Sequence, residues 1–163
     1  MRRKVFGGAA ALCALVIAAG ATAAVITGTP GDDVLRGTEQ ADQIHAYAGN
    51  DALYARGGAD DVRAGAGNDV ARAADGNDLV YGGRGNDAVA GGNGNDRLYG
   101  GSDSDEVLGG DGNDRASGNK GADSVSGNDG NDSLFGGWGP TACTAETGMT
   151  SCTRSHPTAT RIS

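Results

Sequence analysis

Aromatic residues and histidine are scarce in this chain. Only 4% of its 163 residues are aromatic and 37% are hydrophobic. This excludes a conventional globular core, because aromatic side chains normally supply much of one. The only histidines are His45 and His156, and there is no HExxH motif, nucleophile elbow or paired catalytic constellation. The sequence therefore predicts a protein that is not an enzyme.

Basic residues are also in the minority. The chain has 13 Lys and Arg against 21 Asp and Glu, a net charge of −8. Three of the cations, Arg2, Arg3 and Lys4, stand at the start of a predicted leader, and without them the charge is −11. An acidic protein repels nucleic acid and anionic lipid. We therefore expect no nucleic-acid partner, and cations as ligands.

Residues 1–24 are predicted to be a secretory signal peptide. A basic start is followed by an apolar run from about Ala9 to Ala19 and by a small-residue end. The apolar run is shorter than the roughly 20 residues that a membrane span needs. We expect cleavage after Ala23 or Ala24, no membrane span once the leader is removed, and a secreted, monomeric protein.

Glycine is the residue that the chain has in excess, at 31 residues, and it recurs with a period of nine. Rows of nine from Gly28 give twelve rows that end at Phe135 without insertion or deletion. The eighth position of each row is apolar, and ten of the twelve are Leu, Ile or Val. The sixth position is always aspartate, and we call these residues the sixth-position aspartates: Asp33, Asp42, Asp51, Asp60, Asp69, Asp78, Asp87, Asp96, Asp105, Asp114, Asp123 and Asp132.

This period predicts an all-β, right-handed parallel β-roll (a β-helix solenoid) of twelve nonapeptide repeats, with two repeats per coil. The Gly-rich first six positions are predicted to be turn, and the last three a short strand with the eighth residue inward. We expect the roll over 25–135, with repeats at 28–135, and a C-terminal cap and flexible tail over 136–163. Alanine replaces the first glycine in rows three to six, and an alanine at positive φ there would weaken those rows: Ala46, Ala55, Ala64 and Ala73.

Stacking the coils brings the sixth-position aspartates together. Coils about 4.8 Å apart would place like charges close enough to repel by roughly 1 kcal/mol per pair, even in water. A cation between them would remove this cost. Carboxylates and backbone carbonyls make an all-oxygen site that suits Ca²⁺, while zinc would need His or Cys ligands. Aspartate is also common in metal-free turns, so a roll that stands without metal remains an alternative.

The rows resemble the GGxGxDxUx nonapeptides of RTX proteins, the hemolysin-type calcium-binding repeats. Rows 82–90 and 91–99 match at every fixed position. The resemblance implies calcium ions between the turns of successive coils, bound by the sixth-position aspartates and by carbonyls of the Gly-rich half. With every gap filled, the two edges would hold at most about ten ions.

Cys143 and Cys152 lie nine residues apart, and both fall on eighth positions if the rows are continued. A pair of cysteines in a secreted chain is more often a disulfide than a metal site. We predict a disulfide that closes the open end of the roll, with Trp138 covering the last apolar residues.

These patterns predict a secreted calcium-binding protein whose roll folds when calcium binds outside the cell. The alternative is a cell-surface or matrix module, similar to an adhesin, in which calcium is purely structural and the roll presents a ligand site. A row of exposed tyrosines would favour the alternative and a polysaccharide partner: Tyr47, Tyr54, Tyr81 and Tyr99. However, Tyr54, Tyr81 and Tyr99 are ninth-position residues, and strands favour aromatic residues in any case.

Overall fold

The computed structural model describes residues 23–145 and the backbone of residues 151–154. The predicted leader, except for Ala23 and Ala24, lies outside the described residues, as does most of the predicted tail, including His156. The described part of the chain contains no helical segment that could span a membrane.

The described chain forms two parallel sheets, and successive strands alternate between them. The eight-stranded sheet has the order β1-β3-β5-β7-β9-β11-β13-β15, and the seven-stranded sheet has the order β14-β12-β10-β8-β6-β4-β2. The strands are β1 Val25–Thr27, β2 Val34–Arg36, β3 Gln43–Ala48, β4 Ala52–Gly57, β5 Asp61–Ala66, β6 Val70–Asp75, β7 Leu79–Arg84, β8 Ala88–Asn93, β9 Arg97–Ser102, β10 Glu106–Asp111, β11 Arg115–Lys120, β12 Ser124–Asp129, β13 Ser133–Gly137, β14 Ala142–Thr144 and β15 Ser151–Arg154.

The strand register confirms a parallel β-roll with two rows per coil. Val80 of β7 pairs with Leu98 of β9, and Val107 of β10 pairs with Val125 of β12. Each partner is 18 residues away, which is two rows of nine. The repeat therefore returns to the same place in the same sheet once per coil.

The core is a single apolar layer between the two sheets. The eighth-position side chains, such as Leu53 and Val107, are fully buried. The four first-position alanines of rows three to six are also fully buried. In rows three to six, the core is therefore built from two inward positions, the first and the eighth, and each stacks on the same position of the neighbouring coil.

The strands are longer than the sequence predicted, and this corrects two expectations. Each full strand runs from the seventh position through the third position of the next row, so only the fourth to sixth positions form the turn. Positive φ occurs at second positions, including Tyr47, Arg56 and Ala74, and at the fourth-position Asp103. The first-position alanines are not among the positive-φ residues, so backbone strain at these four alanines was the wrong prediction.

The sheets continue beyond the rows at both ends. Ile26 of β1 pairs with Ile44, and Cys143 of β14 pairs with Val125, so both continue the eighth-position layer. Cys152 of β15 pairs with Leu134. Trp138 is 60% exposed. The prediction that Trp138 covers the last apolar residues is therefore wrong.

Two neighbouring alanines give opposite predictions for the same substitution. Ala74 is exposed at φ 86°, where an L-residue costs about 1–2 kcal/mol, so we expect Ala74→Gly to stabilise the folded roll by up to about 1 kcal/mol. Ala73 is fully buried, so Ala73→Gly should destabilise it by about 1–2 kcal/mol through the lost methyl and added chain entropy. Denaturant unfolding in saturating calcium measures both, and equal signs would contradict these backbone assignments.

Candidate metal centre

The sixth-position aspartates are buried at the two edges of the roll, where one sheet turns into the other. Their exposed fractions are between 1% and 4%. The 18-residue register sorts them into two stacks, one at each edge. One stack holds Asp33, Asp51, Asp69, Asp87, Asp105 and Asp123, and the other holds Asp42, Asp60, Asp78, Asp96, Asp114 and Asp132.

In every stacked carboxylate except that of Asp33, Oδ1 accepts a backbone N–H from the preceding coil. The backbone N–H of Asp69 donates to Oδ1 of Asp87 at 2.9 Å, and the N–H of Asp87 donates to Oδ1 of Asp105 at 2.9 Å. The same bond repeats along both edges up to Asp132. Each aspartate therefore ties two coils together without any metal.

The other oxygen of these carboxylates is buried without a hydrogen-bond partner. This holds for Oδ2 of Asp51, Asp60, Asp69, Asp78, Asp87, Asp96, Asp105, Asp114, Asp123 and Asp132, and for Oδ1 of Asp33. Leaving a buried acceptor unsatisfied costs about 1–3 kcal/mol, and more when the acceptor is charged. A row of such oxygens along each edge is therefore costly unless a cation lies against it.

The first two rows differ, and the sequence reasoning missed this. The N–H and hydroxyl of Thr29 donate to Oδ2 of Asp33, and those of Thr38 donate to Oδ2 of Asp42. The N–H of Ala24 donates to Oδ1 of Asp42 at 2.7 Å. Threonine at the second position, where later rows favour glycine, was the signal that could have revealed these hydrogen bonds.

First-position glycines place a backbone carbonyl near the unpartnered oxygens. A β-carbon on Gly82 would lie 2.6 Å from Oδ2 of Asp87 and 2.6 Å from the carbonyl oxygen of Gly100 in the next coil. Gly91 has the same surroundings, with Oδ2 of Asp96 and the Gly109 carbonyl. In these rows, the missing side chain leaves a small space with oxygen on two sides. In rows three to six, the buried alanine methyl occupies the equivalent position.

Burial and mutual repulsion make these carboxyl groups hard to ionise without a cation. Desolvation is the main cause, and it raises the pKa of Asp60 and Asp87 to about 7. The neighbouring carboxylates of the same stack raise the pKa of both groups further. Desolvation likewise raises the pKa of Asp51, Asp96, Asp105 and Asp114 to about 6. A bound cation would oppose both effects.

The donor set fits calcium. Within residues 23–145, no group of three or more His, Cys, Asp or Glu side chains converges on a single metal position. A cation at an edge would therefore take one or two carboxylates and complete its shell with backbone carbonyls. Ca²⁺ accepts 6–8 oxygen ligands of mixed type in flexible geometry, whereas zinc favours His and Cys.

Exposed asparagines form a second ladder along each edge. The N–H of Asn68 donates to Oδ1 of Asn50 at 2.9 Å, and the N–H of Asn95 donates to Oδ1 of Asn77 at 2.7 Å. These bonds satisfy turn N–H groups that lie outside the carboxylate stacks. The fifth-position asparagines therefore support coil stacking by hydrogen bonds alone. The buried oxygens that lack a partner belong to the sixth-position aspartates.

A parallel roll whose edges carry stacked buried carboxylates is the architecture of a calcium-binding repeat protein. The sequence-family model described as RTX calcium-binding nonapeptide repeat (4 copies) matches residues 27–62, 54–89, 72–107, 86–116 and 108–140. The chain belongs to this family, because the matches together span more than half of its length. A search of curated proteins finds no match to the chain.

Proposed function

We propose that this is a secreted protein in which calcium, bound at both edges, supplies the free energy that folds the roll. The observation that carries the proposal is the row of buried carboxylate oxygens without partners. In other small metal-dependent domains, the free energy of metal binding is likewise free energy of folding. The sixth-position aspartates are the proposed ligands, and no catalytic residue is assigned.

The proposed sites are not equivalent along the roll. Rows seven to twelve combine a first-position glycine with an unpartnered aspartate oxygen, so they are the best candidates: Asp87, Asp96, Asp105, Asp114, Asp123 and Asp132. In rows three to six, the alanine methyl narrows the same space. In rows one and two, threonine side chains and N–H groups donate hydrogen bonds to the aspartate Oδ2 atoms, which elsewhere have no partner. Calcium is therefore proposed to bind most strongly in the C-terminal half.

Folding after export follows from this dependence on calcium. RTX repeat proteins are typically extracellular, and extracellular modules typically bind calcium at about 10⁻⁴–10⁻³ M. In calcium-poor cytoplasm, the charged stacks would keep the chain extended and suited to pass through an export channel. Outside the cell, calcium would neutralise the stacks and a monomeric roll would form.

The proposal is tested by far-ultraviolet circular dichroism of residues 24–163 at pH 7.5. We expect a cooperative change from disordered to β structure at roughly millimolar Ca²⁺. We also expect its reversal by chelator and no equivalent change with Mg²⁺, which demands tighter octahedral geometry. A β spectrum that chelator leaves unchanged would refute metal-driven folding and favour the roll that stands without metal.

We further propose that the leader is cleaved after Ala23. Ala24 is buried, its N–H donates to Asp42, and its carbonyl accepts the N–H of Gln43 at 2.8 Å. Cleavage after Ala24 would remove both hydrogen bonds, whereas cleavage after Ala23 leaves the new α-ammonium beside the Asp42 carboxylate. Intact mass of the secreted protein should give Ala24 as the first residue, and a chain that starts at Val25 would contradict this.

The disulfide between Cys143 and Cys152 also remains a proposal. Cys143 packs against the core and pairs with Val125, and the backbone of Cys152 pairs with Leu134 in the opposite sheet. Past Asp132, the sixth position is Thr141 and then Thr150, so the carboxylate stacks end where the disulfide would form. The intact mass without reductant should be lower by two hydrogens than after reduction, and equal masses would exclude the bond.

A further inference from the structure

The two sheets carry different charge on their strands. The described strands of the eight-stranded sheet, through β13, contain five cations and one carboxylate: Arg63, Arg84, Arg97, Arg115 and Lys120, and Asp61. The strands of the seven-stranded sheet contain three arginines and four acidic residues: Arg36, Arg56 and Arg72, and Asp75, Glu106, Asp111 and Asp129. An acidic chain therefore concentrates its positive charge on one sheet.

Two of these arginines stand side by side without a carboxylate partner. Arg97 and Arg115 are direct partners in neighbouring strands, and both are exposed. Neither forms an ion pair within the described residues, whereas Arg63 pairs with Asp61 at 2.9 Å. Like charges directly opposite each other destabilise a sheet. An anionic ligand bridging the two guanidinium groups would remove this cost.

Aromatic side chains on the same face stack with each other and with arginine side chains. The rings of Tyr81 and Tyr99 stack with centroids 4.9 Å apart and planes within 10°. The Arg63 guanidinium lies 5.9 Å from the Tyr81 ring, and that of Arg115 lies 4.3 Å from the Phe135 ring. Because these stacks restrict the side chains before a ligand arrives, less conformational entropy is lost on binding. Tyr54 lies in the seven-stranded sheet, so the four tyrosines do not form one row.

We propose that the outer face of the eight-stranded sheet binds an extended anionic polysaccharide, with Arg97 and Arg115 as its central contacts. Arginine binds carboxylate and sulfate groups through paired N–H donors. The strand repeat places cations along the roll from Arg63 to Arg115, with Arg84 and Lys120 towards one edge. A linear polymer with regularly spaced anionic groups matches this elongated, flat array in both shape and charge.

The geometry favours a polysaccharide over single-stranded nucleic acid. Binding of nucleic-acid bases needs open aromatic faces on which to stack. Here, the two tyrosine rings cover each other, and guanidinium groups lie over Tyr81 and Phe135. Around Arg97 and Arg115, the face therefore offers hydrogen-bond donors and positive charge, while the exposed rings of Tyr47 in β3 and Trp138 after β13 lie outside this central pair.

Calcium at the edges would strengthen this attraction. Twelve of the 21 acidic residues are the sixth-position aspartates, and in the secreted protein, without Arg2, Arg3 and Lys4, the other nine stand against ten lysines and arginines. Neutralising the carboxylate stacks would thus remove the repulsion between the acidic chain and a polyanion. This coupling rests on the proposed function, although the charge of the sheet face itself does not.

The test is binding of dextran sulfate to the calcium-loaded secreted protein at 0.15 M NaCl, measured by isothermal titration calorimetry, with neutral dextran as the blank. We expect R97Q/R115Q to weaken binding by at least about tenfold, because each loses charge-assisted hydrogen bonds. The matched control is R36Q/R72Q, which removes the same charge from the opposite sheet and should change affinity less than threefold. Circular dichroism in calcium confirms that each variant is folded.

Equal losses in the two double variants would overturn the proposal, because they would indicate attraction to net charge alone. Unchanged binding by R97Q/R115Q would overturn it as well. Should that variant fail to fold, R84Q/K120Q tests the same sheet and should weaken binding at least about threefold. Equally tight, equally arginine-dependent binding of a single-stranded oligonucleotide or of anionic lipid vesicles would overturn the assignment to a polysaccharide. Binding of dextran sulfate without calcium would refute the coupling to calcium and leave the sheet face as the site.

Discussion

Replacing Asp87 and Asp105 together by asparagine should raise the calcium concentration at the folding midpoint by at least about tenfold. These aspartates are neighbours in one stack, and each has a buried Oδ2 without a partner. Asparagine keeps the Oδ1 that accepts the N–H of the preceding coil. It replaces the other oxygen by an NH₂ group, which cannot bind a cation. The substitution therefore removes the proposed ligands and preserves the hydrogen-bonded stack.

The same double variant should have more β structure than the parent when calcium is absent, because two buried like charges have been removed. The control is D75N/D111N, which removes two exposed carboxylates at third positions and should shift the midpoint by less than about twofold. Calcium titrations followed by circular dichroism measure all three proteins. Equal midpoints for the two double variants would show that general charge, rather than the sixth-position aspartates, controls folding.

Without metal, the roll should be more stable near pH 5 than near pH 7.5. Asp60 and Asp87 have pKa values raised to about 7 in the folded roll, mainly by desolvation, from an ordinary value of 3.8. The folded state therefore binds more protons than the unfolded chain between about pH 4 and pH 7, so stability falls as pH rises through this window. The β content measured by circular dichroism in buffer freed of metal by a chelating resin should be higher at pH 5 than at pH 7.5.

Saturating calcium should reverse this dependence. Protons and calcium compete for the same carboxylates, because metal ligands must be deprotonated. The calcium-loaded roll should therefore lose stability as pH falls from 7.5 to 5. Parallel pH profiles with and without calcium would contradict the assignment of these aspartates as ligands.

The main architecture could be predicted from the sequence because the repeat is regular. A nine-residue period with an apolar eighth position leaves few ways to bury that position, and stacking two rows per coil does so in every row. The family could be recognised from rows such as 82–90 for the same reason. The sixth-position aspartates were visible as one column, but the sequence did not show that Thr29 and Thr38 donate hydrogen bonds to Oδ2 of the aspartates in rows one and two.

The sequence by itself determined the period, the inward apolar layer and the alignment of the aspartates, because these depend only on spacing along a repeating backbone. The tertiary structure decided which oxygens of Asp87 and its neighbours are satisfied, since that depends on N–H groups 18 residues away. It also placed Ala46 and the other first-position alanines in the core. Finally, alternate rows enter opposite sheets, so only the folded chain separates Arg97 and Arg115 from the acidic residues of the other face.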